Sequence, residues 1–148
     1  MKPLYIFDID GTLADLRHRL HLIKQKSPDW DAFHSSVMSD APIPSTISTL
    51  QMLAEFCDIW YFTGRMETCR DYTEMWLKAH VQGWSNPNVT MRAKDDTRPD
   101  YVIKQEMLDN MLDVDRRRLV AVFDDRQKVV QMWRANNITC YQVDNGNF

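Results

Sequence analysis

At 148 residues, 44% hydrophobic and 26% charged, the chain has the size of one domain and can bury a proper core. A formal net charge of −3 argues against a non-specific nucleic-acid binder, while leaving room for a local basic cleft. No apolar run reaches the length of a membrane span, the N-terminus carries no signal-peptide pattern, and Cys57, Cys69 and Cys140 are odd in number and far apart; the expectation is a reduced, cytoplasmic protein with no membrane contact, disulfide framework or zinc site.

The run Leu4 to Phe7 predicts a buried strand that stops at two carboxylates, Asp8 and Asp10, followed at once by Gly11 and Thr12. Unpaired buried charge is expensive, so carboxylates in that place imply a cation. A single Asp would suit a helix cap; Asp-x-Asp-Gly-Thr after an apolar strand points to chemistry instead. Leu16 to Lys26 reads as a short helix with Leu16, Leu20 and Ile23 on one side, and Asp29 as the N-cap of a second helix beginning at Trp30. Pro42 and Pro44 close this insertion, about residues 15–42. It is expected to form a small helical cap over the C-terminal edge of the sheet, where open α/β sheets bind ligands.

Ser45 is expected to cap a helix carrying Ile47, Leu50, Leu53 and Ala54. Cys57 to Phe62 predicts a second buried strand ending at Thr63-Gly64-Arg65, and about Thr68 to Ala79 a helix. After a turn at Asn86-Pro87-Asn88 come a short strand, Val89 to Met91, and a charged loop, Lys94 to Pro99. Pro99 starts a helix through about Leu112. Leu119 to Phe123 predicts the next buried strand, stopping at Asp124-Asp125, before a helix over Gln127 to Ala135 and a last strand, Ile138 to Val143. Strands alternating with helices indicate an α/β protein, a Rossmann-like parallel sheet with helices on both faces. In such a sheet the ends at Asp8 and Asp10, at Thr63-Gly64-Arg65 and at Asp124-Asp125 converge in one crevice. Clustered carboxylates with oxygen-only ligation favour Mg²⁺. Metal, anion site and free carboxylate together describe phosphoryl transfer.

Asp8-Ile9-Asp10-Gly11-Thr12, Thr63-Gly64-Arg65, Lys104 and Asp124-Asp125, in that order, resemble the four motifs of the haloacid dehalogenase (HAD) superfamily of phosphohydrolases. Asp96 to Glu106, Phe123 to Arg134 and the tail Tyr141 to Phe148 are further similar to the 3′-phosphatase domain of phage polynucleotide kinase. No Walker A sequence occurs in these residues, so no kinase half is expected within them and a separate polynucleotide kinase becomes a candidate partner.

The resemblance implies a nucleophile at Asp8, a general acid and base at Asp10, and Mg²⁺ held by Asp8, the carbonyl of Asp10, Asp124 and, through water, Asp125. It implies that Thr63 and Lys104 bind the phosphoryl group, Lys104 also moderating the charge on Asp8, and it adds Thr12, Gly64, Arg65, Asp100 and Arg19 to the substrate side. The substrate it implies is a 3′-phosphate end of DNA or RNA, or a 3′-nucleotide; a phage origin would place the protein in the host cytoplasm. Rival readings are a 5′-nucleotidase acting on (deoxy)nucleoside monophosphates, and a non-catalytic partner of a separate kinase. Individual residues have plainer readings as well. Lys94 competes with Lys104 for the phosphate role. Arg65 could be a surface residue at a helix start, and Asp100 a charge complementing a helix dipole. Arg17, His18, Arg19 and His21 could form a solvated face, as could Arg116 to Arg118. Trp60, Trp76 and Trp133 fall at core spacing, while Trp30 in the insertion could stack on a base.

Overall fold

The computed structural model describes residues 1–83 and 85–148. Its centre is a parallel sheet of β1 (Leu4–Phe7), β4 (Asp58–Met66), β5 (Asn88–Arg92), β6 (Leu119–Asp124) and β7 (Cys140–Gln142), in the order β5-β4-β1-β6-β7. The chain lays β4 and β5 to one side of β1, then crosses to add β6 and β7 on the other. Connections therefore leave the C-terminal end of β1 in a crevice between neighbours whose crossovers run in opposite directions, the switch point where α/β sheets bind ligands.

Alternation along the strands separates two cores. Leu4 and Ile6 of β1, with Phe62 and Val122, face helices α5 (Asp100–Asp109) and α7 (Gln127–Ala135), which contribute Ile103, Met107, Leu108, Val130 and Trp133. Phe7 and Tyr61 face the opposite layer, where α3 (Pro44–Ala54) and α4 (Arg70–Leu77) bring Ile47, Leu50, Trp76 and Leu77. Each face of the sheet is thus covered by helices, and this is the doubly wound α/β arrangement expected from the sequence. Trp76 and Trp133 are fully buried. Cys57, Cys69 and Cys140 are unpaired thiols. Among the described residues no helix is long and apolar enough to cross a membrane.

Several local expectations change. Ile43, not Ser45, precedes α3, because Pro44 occupies the first helical position, where its missing N–H costs nothing. The second strand runs through Thr63-Gly64-Arg65 to Met66 instead of stopping before them, held by pairing to β5. The helix expected over Thr68 to Ala79 breaks into a 3₁₀ turn, α4 and a wider turn over Lys78–Gln82 that ends at Gly83, φ 66°. The helix expected through Leu112 stops at Asp109, and α6 (Asp113–Arg118) follows as a separate short helix. Arg118 is not solvated with Arg116 and Arg117: it lies over Trp60 and ion-pairs with Asp58 and Asp115.

The segment after β1 is bracketed by a small antiparallel pair that the sequence did not announce, β2 (Ala14–Asp15) with β3 (Ala41–Pro42). Between them the expected first helix is reduced to a 3₁₀ turn, Arg17–Arg19, and α1 (His21–Lys24), while α2 (Trp30–Ser35) starts where predicted, its first turn capped by Asp29 through the Ala32 amide at 2.9 Å.

Candidate active site

β1 ends with the Asp8 amide still in the sheet, donating to the Phe123 carbonyl at 2.9 Å. The chain then curls: the amides of Thr12, Leu13 and Ala14 all approach the Ile9 carbonyl, at 3.1, 2.8 and 3.0 Å. Gly11 makes the curl possible with φ 82°, and a Cβ built there would sit 2.1 Å from Asp125 Oδ2. Gly11→Ala is therefore expected to strain the turn and displace the Asp125 carboxylate, read as a lower melting temperature and weaker stabilisation by Mg²⁺.

Asp8, Asp124 and Asp125 bring carboxylate oxygens within 4.8 Å of one another, all buried. Among the described residues one internal cation faces them: Lys104, on α5, whose ammonium donates to Asp8 Oδ1 and Asp124 Oδ2, both at 2.7 Å. Burial alone would lower the lysine's pKa, but the charges of Asp124 and Asp8 more than reverse that and raise it. A single positive charge does not balance three carboxylates. Burial and the charge of Asp124 push Asp8 well above the ordinary carboxyl value against the pull of Lys104, and the same two causes push Asp125 up to about 6. Asp125 Oδ2 is buried with no hydrogen-bond partner among the described residues. An acidic, oxygen-only, undercompensated donor set with an orphaned oxygen fits a hard divalent cation such as Mg²⁺. Lys94, the competing lysine, is exposed in the loop before α5.

These shifts have a consequence for stability. Between the ordinary value of 3.8 and about 6, folded Asp125 binds protons that the unfolded chain has released, so stability falls as pH rises through that window. Protein stripped of divalent ions by a chelator is expected to melt higher at pH 5 than at pH 7, with Mg²⁺ removing the difference at pH 7. A melting temperature that drops on acidification from pH 7 to pH 5 in chelator would contradict the undercompensated triad.

Thr12, expected on the substrate side, is fully buried and directs its hydroxyl to Asp8 Oδ2 at 3.2 Å and Asp125 Oδ1 at 3.4 Å. Thr63 is likewise buried, with its hydroxyl oxygen accepting from the Arg65 amide at 3.1 Å. Beside the triad stands a second cluster. Arg65 reaches Asp10 through Nη2 at 2.6 Å and Nε at 3.1 Å, and Arg19 reaches the same carboxylate through Nη2 at 3.0 Å. Burial would raise the Asp10 pKa, but the guanidinium of Arg65, helped by Arg19, lowers it on balance. Arg19 is not a solvated helix residue: it is buried, with its guanidinium 4.2 Å from the Phe33 ring centre. Gly64 belongs to the site through its missing side chain, since a Cβ there would stand 2.5 Å from Asp100 Oδ1. Asp100 is bound by Arg92, which also donates to the Gly64 carbonyl at 2.8 Å.

Two residues at the site, Arg92 and Asp40, lie outside every sequence motif. Arg92 ends β5, one residue beyond the strand expected over Val89 to Met91, and no sequence motif marks it; its pairing with Met66, beside the Thr63-Gly64-Arg65 run, exists only in the fold. Asp40 is buried against both Arg19 and Arg65 and lies in no motif. Asp8, Asp10, Arg19, Gly64, Arg65, Asp100, Lys104 and Asp124 line one cleft of about 710 Å³, whose outer wall is Leu20, Ile23, Trp30, Phe33 and His34 from the inserted segment. Thr12, Thr63 and Asp125 stand behind this lining.

Comparison with known proteins agrees with this geometry. Residues 2–148 match the family described as the polynucleotide kinase PNKP phosphatase domain. A putative bifunctional polynucleotide kinase/RNA ligase of Autographa californica nuclear polyhedrosis virus is 30% identical over 129 residues, covering 86% of this chain and 17% of that protein. A chain in the structure of the Pnkp1/Rnl/Hen1 RNA repair complex is 27% identical with a TM-score of 0.76, covering 99% of this chain and 44% of that one. This chain therefore spans less than half the length of either relative. A class C acid phosphatase from Bacillus anthracis, 15% identical with a TM-score of 0.67 over 100% of this chain and 69% of its own, shares the fold. With residues 2–148 matched and its acidic strand ends converging at the switch point of a parallel sheet, the chain belongs to the PNKP phosphatase domain family and is a HAD-type phosphoric monoester hydrolase.

Proposed function

We propose that the protein removes 3′-phosphates from nucleic-acid ends or 3′-nucleotides through an aspartyl-phosphate on Asp8. The observation that carries this reading is the Asp8–Lys104–Asp124 chain at the end of β1, with Asp10 and Arg65 beside it in the same cleft. An Asp8 oxygen attacks phosphorus in line, and the bond from phosphorus to the substrate's ester oxygen breaks. Asp10 delivers a proton to that oxygen and later takes one from the water that attacks phosphorus; the bond from phosphorus to the Asp8 oxygen breaks, releasing inorganic phosphate and the free carboxylate. Arg65 and Arg19 keep Asp10 ionised in the free protein; an arriving phosphate dianion competes for both guanidiniums and so raises the Asp10 carboxyl toward a proton donor. On this reading Lys104, beside Asp8 in the cleft, binds the transferring group, and Thr63, behind the lining, steadies the Arg65 backbone next to it. Asp8, Asp124, Asp125 and the carbonyl of Asp10 would hold Mg²⁺, which when bound offsets charge on the phosphoryl oxygens.

The cleft supports the substrate class. Its volume suits a nucleotide-sized ligand, and an apolar wall adjoining a cationic head suits a phosphate carried on a nucleoside rather than phosphate alone. Trp30, 51% exposed on that wall, is placed to stack on a base. Trp30→Ala is expected to raise KM for a 3′-phosphorylated oligonucleotide by about tenfold, from a stacking contribution of about 1–3 kcal/mol, while leaving p-nitrophenyl phosphate unaffected. Equal effects on both substrates would remove the stacking role.

The position of the phosphate rests on the family and on relatives whose names join polynucleotide kinase to RNA ligase. It supports a place in end repair, with a kinase and a ligase supplied by other polypeptides or other domains. The deciding assay compares phosphate release from a 3′-NMP, a 5′-NMP and a 3′-phosphorylated oligonucleotide with Mg²⁺ and with EDTA. Preference for the 3′-phosphates, lost in EDTA, is expected; a strong preference for the 5′-NMP would make the protein a nucleotidase, and no turnover of any would leave a non-catalytic partner.

A further inference from the structure

Apart from the inserted segment, the cleft is bordered by Arg126, which follows the Asp124-Asp125 pair and precedes α7, and by Phe148. The Arg126 guanidinium lies 4.5 Å from the Phe148 ring centre, and its Nη2 donates to the Phe148 carbonyl at 3.4 Å. Its Nε is 3.7 Å from Asp100 Oδ2, at the start of α5. Next to Asp100 the arrangement repeats. Lys128, in the first turn of α7, holds its ammonium 5.9 Å from the ring centre of Tyr101, in the first turn of α5. Tyr101 and Lys128 are exposed and stand outside the cavity; Arg126 and Phe148 are half-buried at its edge.

Local stability does not call for these pairs. Exposed cation–ring contacts and long ion contacts contribute little. A helix start favours acids, and the first turn of α7 has none. Asp100 is already ion-paired with Arg92. In a chain of net charge −3, this rim thus gathers undercompensated positive charge beside flat apolar faces, continuous with the cleft. A single strand of nucleic acid answers both features, with a phosphate at every step and a π-face on every base. A mononucleotide with its phosphate at Asp8 is accommodated within the cavity. Only a polymer extends to Tyr101 and Lys128.

We propose that Arg126, Lys128, Tyr101 and Phe148 form a strand-binding rim for the nucleotides that precede the terminal one. Arg126 and Lys128 meet backbone phosphates, the two rings meet bases, and the preferred substrate is a single-stranded polynucleotide end instead of a free nucleotide. This rests on the phosphatase reading of the cleft and extends it from the reacting phosphate to the strand that carries it.

The test uses the whole chain with Mg²⁺ and compares p-nitrophenyl phosphate, a 3′-NMP and a single-stranded decanucleotide bearing a 3′-phosphate. Wild type is expected to show a kcat/KM for the decanucleotide at least about tenfold above that for the 3′-NMP. Lys128→Gln and Tyr101→Ala, neither of which lines the cleft, are each expected to lower the decanucleotide value by about five- to tenfold through KM, leaving the 3′-NMP and p-nitrophenyl phosphate unchanged. Arg126→Gln/Lys128→Gln is expected to flatten the dependence of log KM on log salt by about 1.4, roughly 0.7 for each lost phosphate contact. The decanucleotide with a 3′-hydroxyl, which is the product, should inhibit p-nitrophenyl phosphate hydrolysis, and its inhibition constant should rise in the same variants. Phe148→Ala also removes the ring edge that lies over Gly11, so the decision rests on Lys128 and Tyr101. A wild type that handles the decanucleotide no better than the 3′-NMP, or variants that leave the decanucleotide unchanged, overturns the rim and leaves the phosphatase reading intact. Variants that weaken the 3′-NMP as much as the decanucleotide overturn it equally, since the residues would then serve the cavity itself. A wild type that hydrolyses no 3′-phosphate overturns the phosphatase reading, and the rim with it.

Discussion

Asp8→Asn is expected to reduce kcat/KM by about 10⁴-fold or more, the scale seen when a covalent nucleophile is removed from an otherwise intact site. The substitution changes little else. Asn has the shape of Asp, its amide oxygen can still accept from Lys104, and the residue sits at the end of a strand whose amide is held by Phe123. It also takes one negative charge out of a buried set of three that Lys104 alone does not balance. Burial and the charge of Asp124 already push the Asp8 carboxyl upward, so the variant loses a group that the fold holds at a cost. Its melting temperature in chelator is therefore expected to equal or exceed that of wild type, while the extra stabilisation given by Mg²⁺ shrinks. That combination separates a chemical role from a structural one, which would lower melting temperature and activity together. Acid-quenched wild type should carry a phosphoryl group labile to hydroxylamine, and Asp8→Asn should carry none. Appreciable residual turnover would mean that another group attacks phosphorus.

Where the sequence was legible, it was because two constraints act on neighbouring residues at once. β1 had to be apolar to be buried between β4 and β6, so the break at Asp8 and Asp10 stood out. β6 repeats the pattern, and Asp124 and Asp125 stood out for the same reason. Lys104 was preferred to Lys94 only through its surroundings in the motif; its burial against Asp8 and Asp124 is a tertiary feature. The inserted segment was harder. Its elements are a few residues long, so periodicity has no room to develop, and its stability comes from contacts with the rest of the fold. Arg19 among Arg17, His18 and His21 looks like a solvated basic face because nothing local announces that its partners are Asp10 and Asp40. Asp40 stands alone in sequence and meets Arg65 across 25 residues. Pairings of that kind belong to the tertiary structure and leave no short-range mark. Thr12, expected on the substrate side from its place in the motif, has its hydroxyl within hydrogen-bond reach of Asp8 and Asp125, contacts that no local pattern announces.

Lys104→Met tests the other side of the same charge balance and carries the largest expected effect on stability. Met keeps an unbranched chain of similar length in the gap between α5 and the strand ends, so the loss is chiefly that of the ammonium. Asp8 and Asp124 would each lose a 2.7 Å partner while remaining buried. Removing one member of a buried ion pair costs about 3–5 kcal/mol, because the partner is left charged in a poor solvent. In a chain of this size that is a fall in melting temperature of roughly 6–20 °C, measured in chelator. The carboxyls have one escape, which is to take up protons, so the loss should be smaller at pH 5 than at pH 7; the sign follows because protonation relieves repulsion that only the folded state imposes. Mg²⁺ supplies positive charge to the same oxygens and should recover much of the stability. It should not recover the rate if, as proposed, the lysine also holds the phosphoryl group, and kcat/KM is then expected to stay down by about 10²–10³-fold, as for loss of a preorganised electrostatic donor. Lys104→Arg should restore neither in full, because a planar fork cannot fill the place of a compact ammonium that bridges two carboxylates at once. A Lys104→Met protein that melts like wild type in chelator would mean that Asp8, Asp124 and Asp125 are not all ionised in the fold, and the case for a divalent cation there would lose its physical basis.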